Sequence, residues 1–183
     1  MLKDNFMQRI KDPLGSLYMS SLHTHLGWFR SISDGISLIH LDWNQTGWEE
    51  PDRPDNVSRE TNRQLQAYFN KQLYKFTLPL SPIRKTSTSQ HWLDTISKVP
   101  YATTISYAEL ANLAGKSNAA RAAGTACANN PIPIIYPCHR IIRTDGTLGN
   151  YGGGSDLHPT HSANIARKAT LLHLENKGTV RLA

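Results

Sequence analysis

The sequence predicts an α+β protein in two parts, a small antiparallel sheet with one helix followed by a mainly helical half. Three observations carry that reading. Short apolar-aromatic runs flank a turn-forming Asp34-Gly35 near the start of the chain. From about Ser89 onward, apolar residues recur at three- and four-residue spacing instead. Hydrophobic residues make up 39% of the 183 positions, enough to bury a core and to exclude a wholly disordered chain. The expected division is residues 1–85 and 86–183.

The runs at residues 17–22, 28–32 and 36–41 read as a three-stranded antiparallel meander. Residues 44–57 hold Gly47, Pro51 and Pro54 and read as a loop. Ser58 is placed to cap a helix reaching about Leu73, with Leu65, Tyr68, Phe69 and Leu73 on one face. Phe76, Leu78 and Leu80 alternate, which predicts a further strand or extended segment. A polar linker follows between Ser81 and Ser89. Trp92, Leu93, Ile96 and Val99 then mark a helix that ends at Pro100. Ser106 precedes a second helix through Ala114, closed by Gly115, and an Ala-rich helix runs from about Ser117 to Ala128. This pair reads as a helix-turn-helix or as an ordinary αα-hairpin. A last helix spans about Asn164 to Asn176, its apolar side made by Ile165, Leu171, Leu172 and Leu174 with Glu175 near its end.

Charge and cysteine usage narrow the function classes. Residues 1–91 carry 11 basic and 9 acidic side chains and residues 92–183 carry 9 and 5, so the net charges are +2 and +4. The excess suits a polyanionic partner without requiring one. Two cysteines cannot build a disulfide framework and fit a reducing compartment. No apolar run approaches the ~18 residues of a membrane span and no apolar signal segment opens the chain, so a cytoplasmic protein is expected, with no membrane partner.

Chemistry concentrates in one stretch. Pro131, Pro133 and Pro137 forbid a regular helix and stiffen the backbone that delivers Cys138, followed at once by His139 and Arg140. A thiol reacts as its thiolate, and neighbouring cationic or imidazole groups favour that form. An isolated cysteine is more often buried and structural. Two ionisable residues directly beside it argue against apolar burial here. Cys127, Cys138 and His139 lack the close ligand pairs of a zinc site, and Cys127 reads as a small packed side chain. His23, His25 and His40 have no cysteine nearby in sequence, so no metal and no cofactor are expected. Downstream, Leu148-Gly149-Asn150-Tyr151-Gly152-Gly153-Gly154 is a glycine-rich loop without the Gly-Lys-Ser/Thr ending of a phosphate loop.

Pro137-Cys138-His139-Arg140, preceded by Asn130-Pro131-Ile132-Pro133-Ile134 and followed by Gly149-Asn150-Tyr151-Gly152-Gly153, resembles the active-site signature of O6-alkylguanine-DNA alkyltransferases. Ile105-Ser106-Tyr107 and Ala119-Ala120-Arg121-Ala122 agree with that family in the same order. The resemblance covers residues 89–154 and resumes at 171–175. It extends loosely to the first half, from Pro13-Leu14-Gly15 onward. It implies a ribonuclease-H-like first domain and a helical second domain with a helix-turn-helix. The implied activity is direct-reversal DNA repair, with irreversible transfer of an alkyl group from O6 of guanine, and possibly O4 of thymine, to Cys138. Each molecule acts once, because a thioether offers water no leaving group.

The resemblance also implies roles. His139 is the general base, acting through a water, and Glu175 orients it. Tyr107 donates a hydrogen bond towards the guanine as charge develops, and Asn130 shapes the turn into the site. Arg121 fills the duplex where the target nucleotide is flipped out, with Ser117, Ala120, Lys116 and Arg143 also against DNA. Tyr151, Gly152, Gly153, Pro133 and Pro137 wall the base pocket. The implied partner is double-stranded DNA carrying O6-alkylguanine, bound by a monomer in the cytoplasm at the nucleoid, or in a nucleus if the source is eukaryotic. Residues 155–163 make the path from the glycine loop to the last helix longer than the family usually has. That bears on the pocket wall and on the placing of Glu175. The competing readings are a binding module for alkylated bases that transfers nothing, against which Cys138 stands, and a thiol hydrolase using Cys138, His139 and Glu175.

Overall fold

The computed structural model describes residues 16–83, 86–155 and 157–176. They form two compact units, residues 16–83 with 154–155 and residues 86–153 with 157–176. The Pro13-Leu14-Gly15 start of the family resemblance, and Arg84 and Lys85 of the expected linker, lie outside the described residues.

In the first unit the meander forms as the alternation requires. Strands β1 (Tyr18–Thr24), β2 (Gly27–Ser33) and β3 (Leu38–Asn44) pair antiparallel in sequence order. The period of two divides β2 between two faces. Phe29, Ser31 and Ser33 face helix α1 (Asn56–Phe69), with Phe29 and Phe69 ring centroids 5.6 Å apart and Ser31 Oγ donating to Asn62 Oδ1 at 2.7 Å. On the opposite face Ile32 joins Leu17, Met19 and Ile39 in an apolar cluster.

Helix α1 differs from its sequence reading at both ends. Asp55 is the N-cap, accepting from Ser58 N at 2.8 Å, while Ser58 Oγ sits at N3 and accepts from Asp55 N at 3.0 Å. Asp55 outcompetes Ser58 because its second oxygen also accepts from Ser33 Oγ at 2.6 Å, tying the helix start to the sheet. The helix stops at Phe69, short of Leu73, where Asn70 caps it and Lys71 turns to φ 59°. The segment around Phe76–Leu80 is extended rather than a full strand. Its one bridge joins Leu80 to Leu38, with Leu38 N donating to Pro79 O at 2.8 Å.

The second unit holds helices α2 (Ser87–Ile96), α3 (Tyr107–Leu113), α4 (Ala120–Ala128) and α5 (Ser162–Glu175). Capping boxes start α2 at Thr86/Ser89 and α3 at Ser106/Glu109. Helix α4 begins at Ala120 rather than Ser117, because Asn118 adopts φ 67° and breaks the helical path. Two short strands, β4 (Ile105–Ser106) and β5 (Ile141–Ile142), pair in parallel and join the entry of α3 to the exit of the Cys-His-Arg turn. Ile96, Leu110, Ala123, Ile132, Ile141 and Leu171 are fully buried at the centre of this unit.

Asp55→Ala removes both the cap and the link to Ser33, and is expected to cost about 1–2 kcal/mol. Ser58→Ala, which spares the cap, is expected to cost less. Urea unfolding followed by circular dichroism checks the order of the two midpoints.

Candidate active site

Helix α4 ends just before Asn130, and this one side chain organises the segment that follows. Its Oδ1 accepts from Ile132 N at 3.0 Å, and its Nδ2 donates to Tyr136 O at 2.8 Å and to Cys138 Sγ at 3.1 Å. Ile134 lies at φ 74°, a strained conformation for a β-branched residue, and is buried within the turn that Tyr136 N closes by donating to Ile132 O at 3.0 Å. Cys138–Arg140 then forms a single 3-10 turn.

The sequence argument that ionisable neighbours keep Cys138 from burial is overturned. Cys138 is 1% exposed, and His139 and Arg140 are buried with it. The physical reason is Glu175, itself buried near the end of α5 rather than solvated. Its carboxylate accepts from His139 Nε2, Arg140 Nε and Arg140 Nη2, each at 2.9 Å, and from Ala102 N at 3.2 Å. Arg140 Nη1 donates to Val99 O at 2.6 Å. Burial of three ionisable groups is tolerable when they satisfy one another in this way.

The protonation states follow. Burial alone would raise Glu175, but the hydrogen bonds from His139 and Arg140 and their charges win and hold it well below the usual range. Burial lowers His139 despite Glu175, so the imidazole rests neutral. With Nε2–H donated to the carboxylate, Nδ1 keeps its lone pair. That atom is buried and has no hydrogen-bond partner among the described residues. Burial raises the Cys138 thiol, opposed by the Asn130 hydrogen bond and by the charges of Lys168 and Arg167. The resting pair is therefore a thiol and a neutral base.

Helix α5 contributes more than Glu175. Of the expected apolar side, Leu171 and Leu172 are buried while Ile165 and Leu174 are only half-buried. The buried residues of the helix are Asn164, Arg167, Lys168, Leu171, Leu172 and Glu175, so polar side chains share the buried side with the two leucines. Each polar member holds a separate piece of backbone. Asn164 Nδ2 donates to Leu157 O at 3.3 Å and His158 O at 3.2 Å. Arg167 Nη2 donates to Gly152 O at 3.5 Å and to Gly153 O. Lys168 Nζ donates to Ile141 O and Leu148 O, each at 2.5 Å, and to Tyr107 Oη at 3.5 Å. Burial pulls Lys168 down to about 8 and Arg167 down to about 10. Sequence reasoning missed Asn164, Arg167 and Lys168. Their three- and four-residue spacing with Leu171 was the available signal.

Of the other expected site residues, Tyr151, Gly152, Gly153, Pro133 and Pro137 are buried in this unit. Gly152 and Gly153 cannot carry a side chain: a Cβ would meet Ala128 O at 2.7 Å and Arg167 Nη2 at 2.1 Å respectively. Tyr107 Oη donates to Asn150 O at 3.4 Å, and burial keeps this phenol protonated. Lys116, Ser117, Arg121 and Arg143 are exposed and Ala120 is half-buried. Among the described residues no three His, Cys, Asp or Glu side chains gather as a metal would need, and no helix is long and apolar enough to cross a membrane.

The family model described as "6-O-methylguanine DNA methyltransferase, DNA binding domain" matches residues 87–177. A methylated-DNA–protein-cysteine methyltransferase of Mycobacterium bovis is 43% identical over 166 residues, covering 91% of this chain and 89% of that protein. The chain belongs to the methylated-DNA–protein-cysteine methyltransferase family. The crystal structure of Mycobacterium tuberculosis O6-methylguanine methyltransferase superposes on this member with a TM-score of 0.72 at 34% identity, over 87% of this chain and 92% of that one. A crystal structure of Mycobacterium tuberculosis OGT in complex with DNA gives 0.71 at 33% identity, over 85% and 90%.

For this methyltransferase-family chain, Glu175→Gln leaves Arg140 buried without its anion and is expected to cost about 3–5 kcal/mol. Glu175 lies below its unfolded value, so its contribution is complete above about pH 4.3 and is lost as pH falls through and below that value. Thermal melts between pH 3 and 7 check this, with the variant expected to show the shallower dependence.

Proposed function

We propose that this chain repairs alkylated DNA by moving a methyl group from O6 of guanine to its own Cys138, once per molecule. The observation that carries the reading is the buried array in which Asn130 touches Sγ, His139 offers an Nδ1 with no partner among the described residues, and Glu175 fixes the imidazole. The activity for which the relatives are named supports the same chemistry.

His139 Nδ1 takes the thiol proton, relayed by a water, and Glu175 stabilises the imidazolium that results. The sulfur then bonds to the methyl carbon while the carbon–O6 bond breaks, and its electron pair passes to the purine. Tyr107, kept protonated by burial, donates a hydrogen bond to the purine as that charge grows, and the proton held by His139 restores neutral guanine. The product is a methyl thioether with no leaving group, so the molecule stops there.

A thiol that is 1% exposed cannot meet a base still stacked in a duplex, so the nucleotide must be everted into the protein. Pro133, Pro137, Tyr151, Gly152 and Gly153 form the wall it enters against. In this reading α3 and α4 act as a helix-turn-helix, with Arg121 replacing the everted base and Lys116, Ser117, Ala120 and Arg143 against the backbone. The protein works as a monomer in the cytoplasm on O6-alkylguanine in double-stranded DNA.

Incubation with duplex DNA carrying one O6-methylguanine, followed by peptide mass spectrometry, tests the proposal. The expected result is one methyl group on the Cys138 peptide and no turnover beyond one per molecule. Cys138→Ala is expected to bind the DNA and acquire no methyl. Repeated turnover, or an unmodified Cys138 with the lesion intact, overturns the reading.

A further inference from the structure

Tyr151 stands out among the groups around the thiol. The residue is 2% exposed, and its hydroxyl is buried with no hydrogen-bond partner among the described residues. A buried hydroxyl left unpaired is destabilising, so a folded protein retains one only where something else compensates. The ring is also held with unusual care. Tyr151 N donates to Pro159 O at 2.9 Å, and the Arg167 guanidinium lies 5.3 Å from the ring centroid. Arg167 simultaneously donates to the carbonyls of Gly152 and Gly153. Gly153, at φ 56°, lies so close that a Cβ would come within 2.3 Å of Tyr151 Cε1. The ring therefore has little freedom to swing its hydroxyl elsewhere.

Its surroundings are those of the reacting sulfur. Tyr151, Arg167 and Cys138 each lie within electrostatic reach of the other two. Burial, together with any charge on Cys138, keeps the phenol protonated. It is thus a buried donor within electrostatic reach of the thiol, with nothing in the described residues to donate to.

We propose that the Tyr151 hydroxyl donates a hydrogen bond to the O6 edge of the everted purine, and that Arg167 is the residue that positions it. This rests on the alkyl-transfer reading above and adds a second donor to Tyr107. The hydroxyl has no partner among the described residues and gains one in the complex. Its hydrogen bond strengthens as O6 gains charge, so it favours transfer more than binding.

Tyr151→Phe tests this directly, because it removes the hydroxyl and keeps the ring. Three quantities are compared with the native protein: the unfolding midpoint, the single-turnover rate of methyl transfer from O6-methylguanine DNA, and the rate of Cys138 alkylation by iodoacetamide. The expected outcome is an unfolding midpoint at or above the native value, with methyl transfer slowed at least tenfold relative to iodoacetamide alkylation. Iodoacetamide carries no purine, so a variant that merely disturbs the thiol slows both reactions together. That result, or transfer within twofold of native, overturns the proposal. Arg167→Lys, which keeps a cation but loses the planar fork, is expected to lower the same ratio in the same direction. An unchanged ratio there removes Arg167 from the assignment. Failure of the native protein to acquire a methyl group instead overturns the underlying reading, before either variant is compared.

Discussion

The buried carboxylate of Glu175 is the constraint on which the rest of this site depends. Charges cannot be taken out of water singly, and here an anion, a guanidinium and an imidazole are buried because each satisfies another. The consequence is geometric as well as energetic. Glu175 sits on α5, and His139 and Arg140 sit on the 3-10 turn that carries the thiol. One carboxylate therefore fixes the turn against the helix and selects the imidazole tautomer. Chemistry and architecture are the same set of hydrogen bonds.

That arrangement explains why a raised thiol pKa suits the site. A sulfur held permanently as thiolate in a sealed interior would carry the cost of desolvation throughout and would react with small electrophiles as they arrived. Burial instead keeps Cys138 protonated, while Asn130 and the nearby cations limit how far it rises. Burial likewise keeps His139 neutral and able to accept the proton. In the proposed reaction the thiolate forms only as transfer proceeds. The protein controls reactivity by withholding the charged form, not by storing it.

Much of this was legible in the chain, and the failures share one cause. The meander was readable because Asp34-Gly35 separates runs whose period of two survives burial. Helix α3 was readable because Ser106 and Glu109 form a local capping box. Local rules failed where a distant partner decided the outcome. Asp55 displaced Ser58 as the cap because Ser33, 22 residues away, offers it a second hydrogen bond. Asn118 at φ 67° moved the start of α4 to Ala120, and only the folded backbone reveals that. The larger miss was α5. Leucine spacing found the buried Leu171 and Leu172, but the same side also carries Asn164, Arg167, Lys168 and Glu175, which brace backbone beside that apolar pair. The burial of Cys138 itself was misjudged for the same reason: its ionisable neighbours find their partner 35 and 36 residues further on.

In the proposed reaction, the polar face of α5 also bears on how charge is balanced. Lys168 places its ammonium against two backbone carbonyls and the Tyr107 hydroxyl, all neutral oxygens, and burial brings it down to about 8. A charge on Cys138 acts in the opposite direction and favours the ammonium. The two groups are therefore linked: each makes the ionised form of the other less costly. As the thiol gives up its proton, the site gains an anion where a cation is already held in place, and no charged side chain has to move to meet it. Preorganisation of this kind carries little reorganisation cost at the moment of transfer. It also accounts for a lysine with full burial in a helix that could have placed a leucine there. The ammonium secures the Leu148 and Ile141 carbonyls in the resting protein, and it offers a counter-charge in the reacting one.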